Sequence, residues 1–349
     1  MNTQNADTIR SLSESHQGKV SDKWSSYLTE YQRLFRDLKD RPLSLLEIGI
    51  QNGGSLEIWA KYFGTAERLI GCDINEKCRR LTFEDQRIAV IVGDANTDPI
   101  QRQIEEKCAS FDIIIDDGSH KSGDIVKSFA RYFPLLKPGG LFLAEDLHCS
   151  YWKEFEGGLF DPLSSISFFK DLSDIINHEH WGIAEPRTAL LDSYAKRYNT
   201  GFNETDLAQI LSVEFLNSIC VVKKSADGPC SLGVRRFAGT SAEVFVAASH
   251  HSTREITAAD EVPDESRNEW SGPDSFKNKS STAAAAVEIA GLRDGIARRD
   301  LELRKAQEEI AGANRRSERL AHDLASRESS LSWKITSPLR FLANGLVRK

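Results

Sequence analysis

The sequence predicts an α/β protein built on a doubly wound parallel sheet. Three observations carry this reading. Short apolar runs alternate with helical segments five times between residues 43 and 146, and each run closes on an acidic residue. Two further runs within 209–224 fold back on one another around a tight turn, as an antiparallel hairpin that finishes the sheet.

Residues 1–20 are polar and read as a flexible start. Residues 21–40 place Trp24, Tyr27, Leu28, Tyr31, Leu34, Phe35 and Leu38 at helical spacing, with Ser21 or Asp22 as the cap, and predict a helix packed on the sheet. The first strand, around Leu43–Gly49, carries Glu47 and passes through Gly49, Gly53 and Gly54 into a helix from Ser55 to Phe63. Strand, glycine turn and helix N-terminus let a backbone approach a nucleotide closely, although the spacing is not GxGxxG. The second strand, from Arg68, ends in Asp73, where an acid takes the ribose hydroxyls of a bound nucleoside. The third, Arg87–Val92, closes on Gly93 and Asp94. Together these point to a nucleoside-bearing cofactor.

The fourth strand is Phe111-Asp-Ile-Ile-Ile-Asp116, followed by Asp117-Gly-Ser and His120. A helix from Ser122 to Leu136 then meets Lys137-Pro-Gly-Gly140, which stops it and launches the fifth strand into Glu145-Asp146-Leu147-His148. Ligands of open parallel sheets bind outside the carboxyl ends of the strands. If the fourth and fifth strands are neighbours, Asp117, Glu145 and Asp146 converge. Carboxylates that close repel unless a cation sits among them, and hard oxygen ligands suit Mg²⁺, Mn²⁺ or Ca²⁺. His120 at the rim is placed as a general base. Asp116 reads as a turn or cap acid rather than a metal ligand. A two-His-one-carboxylate iron site built from His120, His148 and one acid leaves the glycine turn and ribose acid unexplained.

Residues 149–209 interrupt the rhythm with Tyr151, Trp152, Phe155, Phe160, Phe168, Phe169 and Trp181, and read as a cap over the sheet's ligand edge, shaping an acceptor pocket. Strand character persists weakly over 231–248, and residues 249–282 read as a linker. Beyond it Ile289, Ile296, Leu303, Ile310, Ser317, Leu324 and Leu331 share one heptad position. Leu292, Arg299, Ala306, Ala313, Leu320 and Arg327 share the other. This predicts a coiled coil over 283–331 and with it a homo-oligomer. The tail, 332–349, is basic and amphipathic, fit to dock on an anionic membrane surface or a partner.

A formal charge of −7 argues against a general nucleic-acid binder, and six scattered cysteines without a CxxC fit reduced thiols in the cytoplasm. The polar first residues lack the apolar core of a signal peptide, and no segment has eighteen uncharged apolar residues.

The runs Glu47-IGIQNGGS, Gly71-Cys-Asp73, IIDDGSH, LKPGG and AEDLH resemble the class I S-adenosylmethionine-dependent methyltransferases. Within these the chain is similar to the metal-dependent sugar O-methyltransferases of macrolide tailoring and to relatives labelled cephalosporin hydroxylase, over about residues 15–225. The resemblance implies a seven-stranded Rossmann-like sheet. It implies an S-adenosylmethionine site drawing on Glu47, Gly49, Gly53, Ser55, Asp73, Asp94, Ala95 and Asp116. It also implies a divalent metal, usually Mg²⁺, on Asp117, Glu145 and Asp146, with His120 as base. The Ser21-Asp22-Lys23 stretch matches the family's N-terminal region. The expected activity is methylation of a sugar hydroxyl on a glycan or glycosylated small molecule, in surface-polysaccharide or natural-product biosynthesis. The rival is a non-catalytic scaffold of the same fold, recruiting a glycan-assembly complex through its coiled coil.

Overall fold

Five strands, β1 (Ser44–Ile48), β2 (Arg68–Asp73), β3 (Ile88–Val92), β4 (Phe111–Asp116) and β5 (Leu136–Ala144), run parallel, and β6 (Ile210–Phe215) and β7 (Cys220–Lys224) form an antiparallel hairpin beside β5. The sheet order is β3-β2-β1-β4-β5-β7-β6. This is a computed structural model, and it describes residues 8–239, 241, 243–244, 255–271 and 273–329. The tail at 332–349 lies outside the described residues, as does most of 240–254.

Nearly every side chain of β1, β4 and the second half of β5 is buried, as expected of strands covered on both faces. On one face α2 (Ser25–Phe35) and α3 (Gly54–Tyr62) enclose Tyr31, Phe35, Trp59, Tyr62 and Phe63, all almost fully buried. On the other, α5 (Ser122–Tyr132) and α6 (Ser165–Ile176) bring Phe129 and Phe168 together edge to face, 5.3 Å apart, beside Phe142 of β5. The helix α4 (Asp98–Lys107) links β3 to β4. The helices α7 (Asp192–Tyr198) and α8 (Glu204–Leu207) complete the segment between β5 and β6.

The strand expectations hold to within a residue or two, with one informative exception. Lys137-Pro-Gly-Gly140 does not precede β5 but lies inside it, and the pairing of β4 with β5 shifts register between Phe111 and Ile113 to absorb it. The expected helix over 21–40 is shorter, from Ser25 to Phe35 with a 3-10 turn after it, and its cap position is Trp24 rather than Ser21 or Asp22. Residues 21–24 stay outside the helix instead, with Lys23 on Asp117 and Glu145 and Trp24 on Asp146 at the ends of β4 and β5.

Residues 9–20 carry more structure than their polarity suggests. An α1 helix (Ile9–Glu14) buries Ile9 completely and packs on α2 and α3. Past it, Lys19 Nζ lies 2.7 Å from Glu57 Oε1, and the Lys19 amide donates to Oε2 at 2.8 Å. A Cβ on Gly54 would collide with the carbonyl oxygens of Lys19 and Val20, so glycine there lets this strap lie against α3.

Residues 231–239 hold only an isolated bridge, Val234 to Thr257, among the described residues. The chain divides into two compact units, Met1–Ala286 and Val287–Lys349. One helix, α9 (Pro273–Ser329), takes in the last ten residues expected as linker and nearly all of the heptad region. Along it Ile289, Leu292, Ile296, Leu303, Ile310, Leu320 and Leu324 are about half exposed or more. Leu331 lies outside the described residues. Among the described residues, no helix is long and apolar enough to cross a membrane.

Candidate active site

The strand order reverses its winding between β1 and β4, and ligands of doubly wound sheets bind at that switch point. The pairing aligns Ile48 with Asp116 and Asp116 with Ala144, so the residues next in line, Gly49, Asp117 and Glu145, sit side by side at the carboxyl edge. The Asp117 amide donates to the Ile48 carbonyl and the Glu145 amide to the Asp116 carbonyl, which extends the ladder one step past the strands. Gly49 takes φ +86°, and a Cβ there would strike the Asp117 carbonyl, so glycine is needed for the turn to pass under the acid.

Two adjoining features occupy this edge. The first is a cleft of about 290 Å³ lined by Gly49, Gln51, Asp73, Gly93, Asp94, Ala95, Asn96, Asp116 and Asp117, among others. Gly49, Asp73, Asp94, Ala95 and Asp116 of the expected cofactor residues therefore share one wall. Two larger surface depressions lie elsewhere, one beside edge strand β3 and one at the opposite end of the sheet, away from the acidic cluster. Asp73 accepts from the amides of Ile50 and Gln51 on Oδ2 and from the Asn75 amide on Oδ1, so its carboxylate also braces the glycine turn. Asp116 is buried, and its Oδ2 has no protein partner. Burial pushes its carboxyl up to about 6. Glu47, Gly53 and Ser55 do not line the cleft. Gly53 is packed against Phe83 at the start of α3, while Ser55 Oγ and Trp59 Nε1 both donate to Glu47 Oε2.

The second feature is the acidic cluster. Asp117, His120 and Asp146 each offer a ligand atom, and the three atoms lie within 4.8 Å of one another. His120 Nε2 is 3.9 Å from Asp117 Oδ1 and 3.7 Å from Asp146 Oδ2. Both His120 and Asp146 adopt left-handed backbone conformations, φ +56° and +53°, which turn their side chains toward the common point. The two carboxylates are hard oxygen donors that fit a divalent cation such as Mg²⁺, with the His120 imidazole beside them. Burial lowers His120 below its ordinary value against the pull of Asp146, so the ring is neutral near pH 7 and free to accept a proton.

Glu145 stands one step away and is otherwise engaged. It accepts a hydrogen bond from the Tyr31 hydroxyl and two from Lys23 Nζ, the latter at 2.9 and 3.0 Å. The same ammonium donates to Asp117 Oδ2 at 2.6 Å and lies 3.4 Å from Glu47 Oε1. Burial opposes the charge on Lys23, but Glu145, Asp117 and Glu47 outweigh it and hold the ammonium well above its ordinary range. Burial raises Asp117 and Glu145 to about 7 each, against the pull of Lys23. Asp146 is fixed by Tyr27 Oη at 2.6 Å and Trp24 Nε1 at 3.1 Å, both donating to Oδ1.

The sequence reading thus gathers the acids and the histidine but assigns no role to Lys23, Trp24, Tyr27 and Tyr31. The signal was available in part. The hydroxyls of Tyr27 and Tyr31 lie on the face of α2 read as packing, and Lys23 stands in the Ser21-Asp22-Lys23 stretch that resembles the methyltransferases. His148 lies outside the three-residue cluster; its Nδ1 is 2.6 Å from Ser218 Oγ.

The fold is the Rossmann-like methyltransferase fold, with the site at its switch point. No protein-family model matches the chain. A tetracenomycin-C rhamnosyl 2'-O-methyltransferase of Streptomyces olivaceus is 36% identical over 171 residues, 46% of this chain and 44% of that protein. Demethylmacrocin O-methyltransferase of Streptomyces fradiae is 35% identical over 198 residues, 53% of this chain and 48% of that protein. The chain therefore spans about half the length of these curated relatives. Among solved structures, the MycE methyltransferase of the mycinamycin pathway, in complex with Mg and SAH, is similar at 27% identity and TM-score 0.53, over 66% of this chain and 57% of that one. A further MycE structure, with Mg, SAH and mycinamycin VI, aligns at 26% identity and TM-score 0.50 over 63% and 56%. The chain is similar to sugar O-methyltransferases of macrolide and related natural-product biosynthesis.

Proposed function

We propose that the protein is an S-adenosylmethionine-dependent, divalent-metal-assisted O-methyltransferase acting on a sugar hydroxyl of a glycosylated natural product or a bacterial polysaccharide. The observation that carries this is the junction at Asp117, which belongs at once to the cofactor cleft and to the Asp117-His120-Asp146 cluster. A methyl donor and an acidified hydroxyl must meet at one point, and this residue borders both.

The cleft residues Gly49, Asp73, Asp94, Ala95 and Asp116 would hold S-adenosylmethionine, which supplies an electrophilic methyl group on a sulfonium. The unpartnered Asp116 Oδ2 is a polar atom that such a ligand would satisfy. Asp117, Asp146 and, after a shift away from Lys23, Glu145 would hold Mg²⁺, which supplies positive charge that eases removal of a hydroxyl proton. His120 is neutral and at the rim of the cluster, so it is the base that takes that proton on its imidazole. Tyr27 and Trp24 hold Asp146 in place before anything binds, which lowers the reorganisation that reaction would otherwise require.

The helix α9 supports a further reading at the level of assembly, a homotypic coiled coil over 283–331, because its heptad leucines and isoleucines are largely exposed along one chain. Light scattering on the whole chain against one truncated before residue 283 tests it: equal oligomeric states would remove the coil from the account.

The test of the activity is transfer of labelled methyl from S-adenosylmethionine to rhamnosides with free vicinal hydroxyls, with Mg²⁺ or with a chelator. Transfer that stops on chelation and in His120→Gln supports the reading. Cofactor binding without transfer to any glycoside, with other hydroxyl acceptors methylated instead, overturns the sugar assignment.

A further inference from the structure

Beside the acidic cluster, four aromatic rings stand in a row. Trp24 meets His148 edge to face at 6.1 Å and 85°, His148 meets Trp152 at 5.0 Å and 75°, and Trp152 lies 6.0 Å from Phe155. The row is anchored at both the polar site and the hairpin. Trp24 Nε1 donates to Asp146 Oδ1, and the His148 ring and amide are both tied to Ser218 Oγ. Yet the two indoles remain open to solvent: Trp24 is 60% exposed and Trp152 49%, with Tyr151 at 41% beside them. Large aromatic surfaces left uncovered next to a polar cleft mark a ligand surface rather than core packing.

The geometry points to Trp24 and Trp152, spaced by His148, as a stacking platform for the pyranose ring that carries the hydroxyl to be methylated. This rests on the sugar O-methyltransferase reading above and adds the residues that recognise the sugar. The face of an indole carries negative charge from its π system, and the C–H bonds on the less polar side of a pyranose meet it with weak positive charge. His148 stands nearly perpendicular to both indoles and Phe155 is tilted at 53° to Trp152, so neither indole faces a parallel ring in the row. That suits a puckered sugar stacked on one side and denies a planar phenol the parallel slot that would clamp it. The anchor on Asp146 also sets the distance: a ring resting on Trp24 is one side chain away from the cluster that includes His120. Trp24 and Trp152 are positioning residues, since neither is asked to touch the reacting atoms.

The probes are methyl α-L-rhamnopyranoside and, for contrast, catechol, added to the whole protein with S-adenosylhomocysteine and Mg²⁺. Saturation transfer from protein to the C–H protons of the glycoside reads stacking directly, without turnover. Trp152 contacts neither the acidic cluster nor the cofactor cleft, so Trp152→Ala tests the platform and Trp152→Phe is the conservative control. The platform predicts transfer to one face of the sugar in wild type, a fall of about fivefold in Trp152→Ala and retention in Trp152→Phe. In kinetics the loss would fall on KM for the glycoside rather than on kcat. Equal transfer in Trp152→Ala, no transfer in wild type, or a stronger response from catechol would each overturn it. Calorimetry with S-adenosylmethionine on the same samples separates the two ideas. Cofactor binding without a glycoside response sinks the platform alone, and a glycoside response without cofactor binding sinks the methyl-transfer reading alone.

Discussion

Replacing Lys23 with Met removes the single charge that Glu47, Asp117 and Glu145 share while keeping an unbranched side chain of similar reach. The ammonium is 2.6 Å from Asp117 Oδ2, 2.9 Å from Glu145 Oε1 and 3.4 Å from Glu47 Oε1, and its side chain is 7% exposed. At an effective dielectric of about 20, unit charges 4 Å apart interact by about 4 kcal/mol, so these attractions are of the size needed to offset repulsion among the acids. Removing one partner from a buried ion pair costs about 3–5 kcal/mol. Each kcal/mol moves the melting temperature of a large domain by about 2–4 °C, so the variant is expected to melt about 10 °C lower at neutral to alkaline pH. The pH dependence has a definite sign. Asp117 and Glu145 already sit at about 7, above the usual carboxylate range, and both rise further without Lys23. Acids raised in the folded state bind protons more readily there, so stability is retained below the unfolded value near 4 and lost as pH climbs through the folded value. The deficit of the variant should therefore be small near about pH 5 and full near about pH 8. Thermal unfolding followed by circular dichroism, in chelator at both pH values, measures it. A deficit under about 1 kcal/mol at the higher pH, or one that grows on acidification, would refute the charge argument.

Other expectations follow from the same geometry. His120→Gln should cut turnover by about 10²–10⁴-fold with cofactor affinity unchanged, and should abolish the acid limb of the pH profile below about 6.5; single-turnover kinetics against calorimetry checks both. Asp116→Asn should flatten the loss of stability between about pH 4 and 6, a term of up to about 3 kcal/mol from the rise of its carboxyl to about 6, while weakening cofactor binding; denaturant melts across that window would show no difference if the acid were satisfied. Gly49→Ala should destabilise the fold by about 1–3 kcal/mol and displace Asp117, because φ +86° and the Asp117 carbonyl both oppose a Cβ; unchanged chemical denaturation would remove glycine's role. Phe142→Ala, at a fully buried β5 ring packed against Phe129 of α5, should cost about 3–5 kcal/mol without altering the cofactor constant of the folded fraction.

The strands were legible because burial on both faces writes continuous apolar runs, and because each acid at a strand end breaks the run at the ligand edge. Asp117, Glu145 and Asp146 could be brought together from sequence since parallel neighbours with equal offsets end at the same height. What stayed hidden was long-range. Lys23 reaches acids 24, 94 and 122 residues away from a stretch that stays outside the helix, and periodicity reads that stretch as the start of one. The ordered strap before it depends on Glu57 clasping Lys19 and on the absence of a side chain at Gly54, contacts that polarity alone conceals. Glu47 was placed on the correct strand, but its side chain points to Ser55, Trp59 and Lys23 rather than into the cleft. The direction a strand residue faces depends on register, which one sequence does not carry.

The most direct measurement is calorimetric titration of Mg²⁺ into protein saturated with S-adenosylmethionine, for wild type and Asp146→Asn. Asp146 is chosen because it lies in the cluster without touching Lys23. Metal-assisted methyl transfer predicts one Mg²⁺ per chain in wild type, with affinity about tenfold or more weaker in the variant. Cofactor saturation with no Mg²⁺ uptake, or equal affinity in both proteins, would contradict the assignment of this cluster as the metal centre.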